Sequence, residues 1–206
     1  MASPGYLLVF GHSIEGAKMV AYSAALPPIY KKYGGFYIGI GGPGRGVELL
    51  EGNWIDHSLV LARFAADGDV VKFWHSPEYV EAKKLRAGAG TFNVFAVKGN
   101  GREAPLGQPS FLISVVRPIE SDKLVPLRKD WQARLAARGA DILADAAYRD
   151  MERLEGDVNG IDVEIAAFPS QAAATAFWND PATAAARAAR NAVAVVNTFL
   201  VAGLPR

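Results

Sequence analysis

Three histidines are the side chains in this sequence that are best suited to proton transfer near neutral pH. They are His12, His57 and His75, and all lie in the first 75 of the 206 residues. His12 follows a short apolar run, His57 lies in a predicted turn after Trp54, and His75 precedes a predicted helix start. Each could act as a general base, and an exposed or helix-capping position explains each of them equally well.

Proton abstraction also needs a group that stabilises the negative charge formed on the substrate. Tyr22, Tyr79 and Arg86 are the candidates for that role, and Glu51 is a second candidate base. A structural reading stands beside each. Half-buried tyrosines are common in cores, and Arg86 could instead pair with a glutamate such as Glu51 or Glu155.

Aromatic and polar residues near these candidates predict a binding surface for a flat or apolar molecule. Trp54 could form a stacking wall for an aromatic ligand. Trp74, His75 and Arg45 are the further candidates for substrate contacts. A packing role for the tryptophans is the alternative, because large aromatic side chains often complete a core.

Two patterns that resemble cofactor sites do not meet the requirements of those sites. Residues 39–44 read GIGGPG and match GxGxxG after a strand, but the segment leads into another strand, so no helix N-terminus is available for a pyrophosphate. The three histidines show neither HxH nor HExxH spacing and fall on separate elements. The sequence therefore predicts no metal and no cofactor.

The elements that position these residues read as β-α-β-β-α-β. Tyr6–Phe10 is a predicted buried strand, and Glu15–Tyr33 has the apolar spacing of a helix, with Pro27-Pro28 expected to kink or break it. Ser76-Pro77-Glu78 is a strong helix start. The other predicted strands are Phe36–Ile40, Val47–Glu51 as an extension of a hairpin, Leu59–Phe64 and Asn93–Lys98.

The same pattern occurs twice. Sliding Leu7–Gly99 over Phe111–Gly203 without a gap, at a constant offset of 104, gives 19 identities in 93 positions, where average composition gives about six or seven. Gly35 then matches Gly139, and Asn197–Ala202 is the last strand. The sequence predicts a first repeat over 1–99, an exposed linker over 100–110, a second repeat over 111–206, and an alanine-rich packing helix over Ala182–Ala194.

Charge and composition exclude several classes of partner. With 22 basic and 21 acidic residues the net charge is +1, so neither nucleic acid nor an anionic membrane is an expected partner. The chain has no cysteine, which removes disulfides and thiolate chemistry. The apolar run near the N-terminus is too short for a signal peptide, so we expect a cytoplasmic protein that recognises a small molecule, with further pairing into a homodimer left open.

A four-stranded sheet with both helices on one face leaves its other face bare. Strands such as LVLARF and NVFAVK would then expose a large apolar surface, which monomers avoid. Packing the two repeats sheet to sheet removes that surface. The sequence therefore predicts an α+β fold in which two ferredoxin-like βαββαβ repeats form an intramolecular, pseudo-dimeric barrel.

The first repeat resembles the family of domain of unknown function 1330, a member of the dimeric α+β barrel superfamily. The residues that carry this resemblance are the helix ending in KYGG, the turn LEGNW at 50–54, and FWHSPEY at 73–79 with Arg86. The resemblance implies the barrel fold but no settled activity, since the superfamily includes monooxygenases, isomerases and haem proteins. The second repeat keeps the skeleton, while Tyr22, Trp54, His75 and Tyr79 align with Pro126, Val158, Asn179 and Thr183 in the ungapped comparison.

This divergence predicts a single functional pocket, which belongs to the first repeat. The leading hypothesis is a cofactor-independent enzyme of isomerase or lyase type that moves a proton on a small hydrophobic or aromatic molecule. A non-catalytic small-molecule-binding protein is the second hypothesis. A haem-binding protein or a monooxygenase is the third.

Overall fold

The computed structural model describes residues 3–205, so Met1, Ala2 and Arg206, which the predicted repeats include, lie outside the described residues. The described chain folds into ten strands and six α-helices. The strands are β1 Gly5–His12, β2 Gly35–Pro43, β3 Gly46–Glu51, β4 His57–Phe64, β5 Thr91–Lys98, β6 Ser110–Pro118, β7 Asp141–Ala146, β8 Glu152–Glu155, β9 Asp162–Phe168 and β10 Ala194–Ala202. The helices are α1 Gly16–Lys32, α2 Asp67–Trp74, α3 Pro77–Lys84, α4 Ser121–Ala137, α5 Gln171–Asn179 and α6 Pro181–Asn191.

All ten strands belong to one mixed sheet with the order β7-β9-β6-β10-β3-β2-β4-β1-β5-β8. The sheet curls: one of two backbone hydrogen bonds outside the strand ladders joins its two ends, and the other joins β10 to β2 beyond the end of β3. The N–H of Asn100, after β5, donates to the Leu143 carbonyl in β7 at 2.9 Å, and the N–H of Leu204 donates to the Ile38 carbonyl in β2 at 2.8 Å.

Two short strands join the N-terminal half (β1–β5) to the C-terminal half (β6–β10). β3 pairs antiparallel with β10, and β8 pairs antiparallel with β5. The predicted hairpin extension at Val47–Glu51 was therefore wrong, since β3 meets its own neighbour β2 only in a two-residue parallel contact. Gly44, with a φ of +68°, makes the tight turn that directs β3 to the other half.

Side chains alternate between two faces of the curled sheet. On β1, Tyr6, Leu8 and Phe10 enter a central core that also contains Phe111 and Phe199 of the C-terminal half. The opposite face packs on helices: Leu7 of β1 contacts the layer formed by α1–α3, and Leu112 of β6 contacts the layer of α4–α6. The central core thus covers the sheet faces that the helices leave bare.

The predicted helix starts are confirmed in both halves. The Ser76 hydroxyl accepts from the Tyr79 N–H at the start of α3, and the Asp180 carboxylate accepts from the N–H groups of Ala182 and Thr183 at the start of α6. These contacts satisfy donors that the first helical turn leaves without partners.

Two helices differ from the sequence prediction, one in having no break at Pro27-Pro28 and one in where it ends. α1 runs through Pro27 and Pro28 without a break, because the carbonyls that lose their partners, those of Ser23 and Ala24, belong to exposed residues and can bind water. The predicted helix Ala182–Ala194 ends earlier, at Asn191, and Ala194 already begins β10.

The repeat is not ungapped, which corrects the constant offset of 104. The register pairs Leu7 and Leu112 with equivalent positions on β4 and β9, and Gly34 and Gly139 both end a helix with positive φ. The offset is therefore 105 from β1 to β2 and returns to 104 from β3 onward, at Gly52 and Gly156. Gly139 corresponds to Gly34 rather than Gly35, and the position matching Tyr22 is Leu127.

The segment between the halves, predicted as an exposed linker, is mostly at the surface but is anchored at several residues. Ala104 is buried against the central core, and Ser110 already belongs to β6.

Candidate functional site

An open cleft of about 460 Å³ lies at one end of the sheet, and we call it the aromatic cleft. It is built from the β2–β3 turn, β3 and the start of β4 in the N-terminal half, together with β10 and the start of α5 in the C-terminal half. Its walls are Pro43, Gly44, Gly46, Val47, Glu48, Leu49, Trp54, Ile55, Asp56, His57, Gln171, Phe199, Leu200 and Ala202.

His57 is the titratable ring in the wall of this cleft. The sequence predicted a turn at this position, but His57 is the first residue of β4. Its Nδ1 lies 3.1 Å from the Ile55 carbonyl oxygen. A carbonyl can only accept, so Nδ1 carries the proton and Nε2 keeps a free lone pair. Burial lowers the pKa of His57 below its ordinary value, an effect to which nearby His12 adds, and both favour the neutral ring.

Strand pairing brings a second histidine beside the first. His12 ends β1 and is the direct partner of His57 in the β1–β4 register, which places the two rings 4.9 Å apart between centroids. The His12 Nδ1 lies 3.1 Å from the Ser13 hydroxyl, and the residue is exposed. Two sequence candidates that are 45 positions apart therefore meet at one edge of the cleft.

Trp54 lies in the wall of the aromatic cleft. Its ring stacks on His57 at 5.0 Å and 18° between planes. Phe10 meets the indole edge-on at 5.2 Å, and Phe199 of β10 lies 6.5 Å away. Sequence reasoning missed Phe199, because its contribution depends on the pairing of β10 with β3 across the two halves.

Three further candidates, Tyr22, Tyr79 and Trp74, form a separate cluster on the helix face of the sheet. The Tyr22 and Tyr79 hydroxyls share a hydrogen bond of 2.9 Å, and Trp74 packs on Tyr79 at 4.7 Å. Burial raises the pKa of both tyrosines, so both stay protonated. These residues belong to the core beneath α1–α3, whereas the aromatic cleft borders the central core, and the structure does not bring the two groups together.

Arg86 and Glu51 are held in ion pairs across the two halves. Arg86 donates to both carboxylate oxygens of Glu155 at 2.9 and 2.7 Å, and its guanidinium lies over the Phe92 ring at 3.9 Å. Glu51 accepts from Arg190. It also accepts from Thr198 at 2.7 Å and from Asn191 at 2.9 Å, so both its oxygens are engaged. Both side chains are therefore engaged in ion pairs, which is the structural alternative to a catalytic role for each of them.

His75 and Arg45 are exposed, and neither lines the aromatic cleft. His75 lies 3.9 Å from Glu152 beyond the end of α2. Arg45 occupies the tight turn before β3.

A buried carboxyl group was missed in the C-terminal half. Glu164 of β9 is 6% exposed and accepts a hydrogen bond from the Trp131 indole at 2.7 Å. Burial raises the pKa of Glu164 to about 7. The signal was present in the sequence, since Glu164 interrupts the apolar strand VEIAAF, but its apolar counterpart Val60 gave no reason to single it out.

Neither a metal centre nor a membrane span is formed by the part of the chain that the structure describes. Across residues 3–205, no three or more His, Asp or Glu side chains are grouped so that they could hold a metal ion. In the same residues no helix combines the length and apolarity needed to cross a bilayer.

Comparison with protein families gives one match in two places. The model of a domain of unknown function, DUF1330, matches residues 4–100 and again residues 109–204. The starts of the two matches differ by 105 and the ends by 104, in agreement with the strand registers. No curated protein matches the chain.

Solved structures of the dimeric α+β barrel type share the fold. A protein from Lactobacillus acidophilus named as a "putative monooxygenase" has a TM-score of 0.54 at 14% identity, covering 97% of this chain and 94% of that one. A second so named, from Fusobacterium nucleatum, has a TM-score of 0.54 at 9% identity over 100% and 99% of the chains. An anthrone oxidase-like protein has a TM-score of 0.52 at 15% identity over 97% and 91%. At such identities the likeness concerns the fold alone.

Proposed function

Since this chain belongs to the DUF1330 family, twice over in one polypeptide, we propose that it binds a small, flat apolar or aromatic molecule in the aromatic cleft and transfers a proton on it without a cofactor. The observation that carries the proposal is the His57 ring in the cleft wall, oriented by the Ile55 carbonyl and stacked on Trp54. A base at the wall of an apolar cleft needs a neutral ring, a fixed tautomer and a free lone pair.

The proposed reaction uses two side chains of the cleft wall, His57 and Gln171. His57 Nε2 takes a proton from a carbon next to a carbonyl, and the electron pair of that C–H bond moves to the carbonyl oxygen as an enolate. Return of the proton to a different carbon gives an isomer, and loss of a leaving group from the adjacent carbon gives an elimination. Gln171, at the start of α5 and in the cleft wall, is a neutral side-chain donor for the developing oxyanion.

Tyr22, Tyr79, Arg86 and Glu51 act on this site indirectly in the proposal. They lie in the helix layer or in ion pairs between the halves. Their role is to hold the architecture that carries the cleft, while His57 abstracts the proton and His12 tunes it by charge from 4.9 Å away.

The architecture that we propose is a pair of ferredoxin-like repeats packed sheet to sheet as a pseudo-dimeric barrel. Reciprocal contacts support it: β3 with β10 and β8 with β5, and the two Arg–Glu pairs that cross in opposite directions. The two halves differ at the cleft, since Trp54 of the N-terminal half and Val158 of the C-terminal half both pack against the central core from corresponding turns.

A non-catalytic small-molecule-binding protein is the second candidate. The observation in its favour is that the cleft walls are dominated by apolar groups and backbone, and that His57 is the single histidine among them. The two candidates predict the same binding but differ in turnover.

The test combines binding with proton exchange. A panel of small quinones, lactones and phenolic ketones is titrated against intrinsic fluorescence, and bound compounds are incubated in D₂O to detect deuterium uptake by NMR. We expect Trp54→Phe to remove the fluorescence response and the matched Trp178→Phe, which alters a helix-packed ring on the other half, to keep it. His57→Gln should retain binding and lose exchange.

The outcomes separate the candidates. Binding without exchange in the wild-type protein supports the binding-protein reading, and exchange that survives in His57→Gln removes His57 from its role. Haem binding through a histidine is tested separately by adding haem and recording the Soret band.

A further inference from the structure

The turn that carries Trp54 is held by a side chain from the other half of the chain. The side-chain oxygen of Asn197, on β10, accepts hydrogen bonds from the backbone N–H of Asn53 at 2.8 Å and of Trp54 at 3.0 Å. Asn197 is 4% exposed, so these bonds form away from water, where leaving donors without partners is costly. The backbone nitrogen of Trp54 is therefore held in place, close to the point from which the indole extends.

Gly52 makes this approach possible. Its φ is +102°, and a Cβ at this position would lie 2.2 Å from the Asn197 oxygen, closer than two non-bonded atoms can come. The turn therefore needs glycine both for its backbone conformation and for the space that the asparagine occupies.

The same device appears in the opposite direction. Asn93, on β5, accepts a hydrogen bond from the Val158 N–H at 3.1 Å, and a Cβ on Gly156, whose φ is +90°, would lie 2.2 Å from the Asn93 oxygen. The chain thus contains two equivalent asparagine–turn contacts. One carries Trp54 of the aromatic cleft, and the other carries Val158, which packs against the central core.

Trp54 borders two cavities in addition to its aromatic neighbours, so packing covers only part of its surface. It lines the aromatic cleft of about 460 Å³ and also a second cavity of about 260 Å³, whose walls include Asn197 and Ile161. Without its backbone anchor the indole could turn into the second cavity, which would uncover His57 and remove the flat wall of the cleft.

We propose that Asn197 is a positioning residue of the aromatic cleft, which holds Trp54 stacked on His57 and thereby makes the C-terminal half a required part of the N-terminal site. The proposal rests on the proposed function only for its effect on ligands. The placement of Trp54 and the environment of His57 are measurable without any ligand.

The test compares Asn197→Ala with its internal control Asn93→Ala. Both variants remove one asparagine that caps a glycine turn. Asn197 is buried and accepts two hydrogen bonds, whereas Asn93 is half-buried and accepts one, so the free energy of unfolding of each variant is measured alongside the two readouts. The first readout is the pKa of the His57 imidazole by NMR titration. In Asn197→Ala it should rise towards that of an exposed histidine, by on the order of half a pH unit, since water reaches the ring. In Asn93→Ala it should not move.

The second readout is the Trp54 fluorescence, obtained as the difference between each variant and the same variant with Trp54→Phe. Acrylamide should quench it several-fold more strongly in Asn197→Ala than in the wild-type protein. Asn197→Asp keeps an acceptor for the two N–H groups and should restore both readouts in large part. If the alanine variants do not fold, Asn197→Ser and Asn93→Ser replace them.

The proposal is overturned if the Asn197 variants leave the His57 pKa and the Trp54 quenching unchanged, or if the Asn93 variants change them as much. A failure of the proposed function looks different, because it would leave both readouts as expected while no compound binds or exchanges a proton.

Discussion

The Arg86 guanidinium and the Glu155 carboxylate form two parallel hydrogen bonds, of 2.9 and 2.7 Å, that join the two halves of the chain. The Arg86 side chain is 6% exposed and that of Glu155 is 27% exposed. Burial disfavours a lone guanidinium, while Glu155 and the phenyl ring of Phe92 stabilise it.

Replacing Glu155 by glutamine should therefore destabilise the fold. The buried guanidinium would lose its counter-charge, and we expect the free energy of unfolding in urea to fall by about 3 kcal/mol. Glu81→Gln is the control. Both side chains of the Glu81–Lys84 ion pair are exposed, and exposed ion pairs contribute little to the free energy of unfolding. Equal stability of the two variants would contradict a structural role for the Arg86 pair.

Gly52→Ala should destabilise the chain far more than Gly160→Ala. Both glycines have positive φ, but a Cβ on Gly160 meets nothing within 4 Å, whereas one on Gly52 overlaps the Asn197 side chain. The shared backbone cost is about 1 kcal/mol, and the overlap should add about 2 kcal/mol. Thermal or urea unfolding of the two variants measures the difference, and similar losses would argue against the tight asparagine contact.

His57 should titrate below the ordinary range of histidine, and its titration should affect stability. Its folded pKa is lowered by burial, so the unfolded chain binds the proton more readily. The contribution of His57 to stability is then present above about pH 6.5 and is lost as the pH falls through the folded value. His57→Gln should flatten this part of the stability curve, and proton exchange should decline over the same pH interval.

Glu164 should give the opposite dependence on pH. Its folded pKa of about 7 lies above the ordinary value, so its contribution is fully present below about pH 4.5 and is lost as the pH rises through about 7. Relative to the wild-type protein, Glu164→Gln should gain about 3 kcal/mol between pH 4.5 and pH 8, because it still accepts from Trp131 without acquiring charge. Glu152→Gln, at an exposed position, is the control and should show no such gain.

Local signals in the sequence predicted much of the fold. Capping residues such as Ser76 and Asp180 and short apolar runs such as Tyr6–Phe10 identified most elements, because they act within a few residues. The destination of β3 was not predicted, since the choice between β2 and β10 depends on contacts with residues about 150 positions away.

The sequence offered candidate residues for a site but not the way in which they are grouped. His12, His57 and Trp54 were identified by chemical type, and strand register brings them together. Tyr22 and Tyr79 were chosen by the same reasoning and lie on the other face of the sheet. Whether a helical side chain faces a cleft or a core depends on which sheet face the helix covers, and one-dimensional spacing does not determine that.

The exchange of β3 and β8 between the halves makes each half the binding partner of the other. Two separate chains would assemble only at concentrations above their dissociation constant. A tether as short as residues 99–109 keeps the two halves at an effective concentration in the millimolar range. Assembly of the shared core is then independent of dilution. Neither half has to match a copy of itself, so each can carry side chains that the other lacks, as the first half does with His12 and His57.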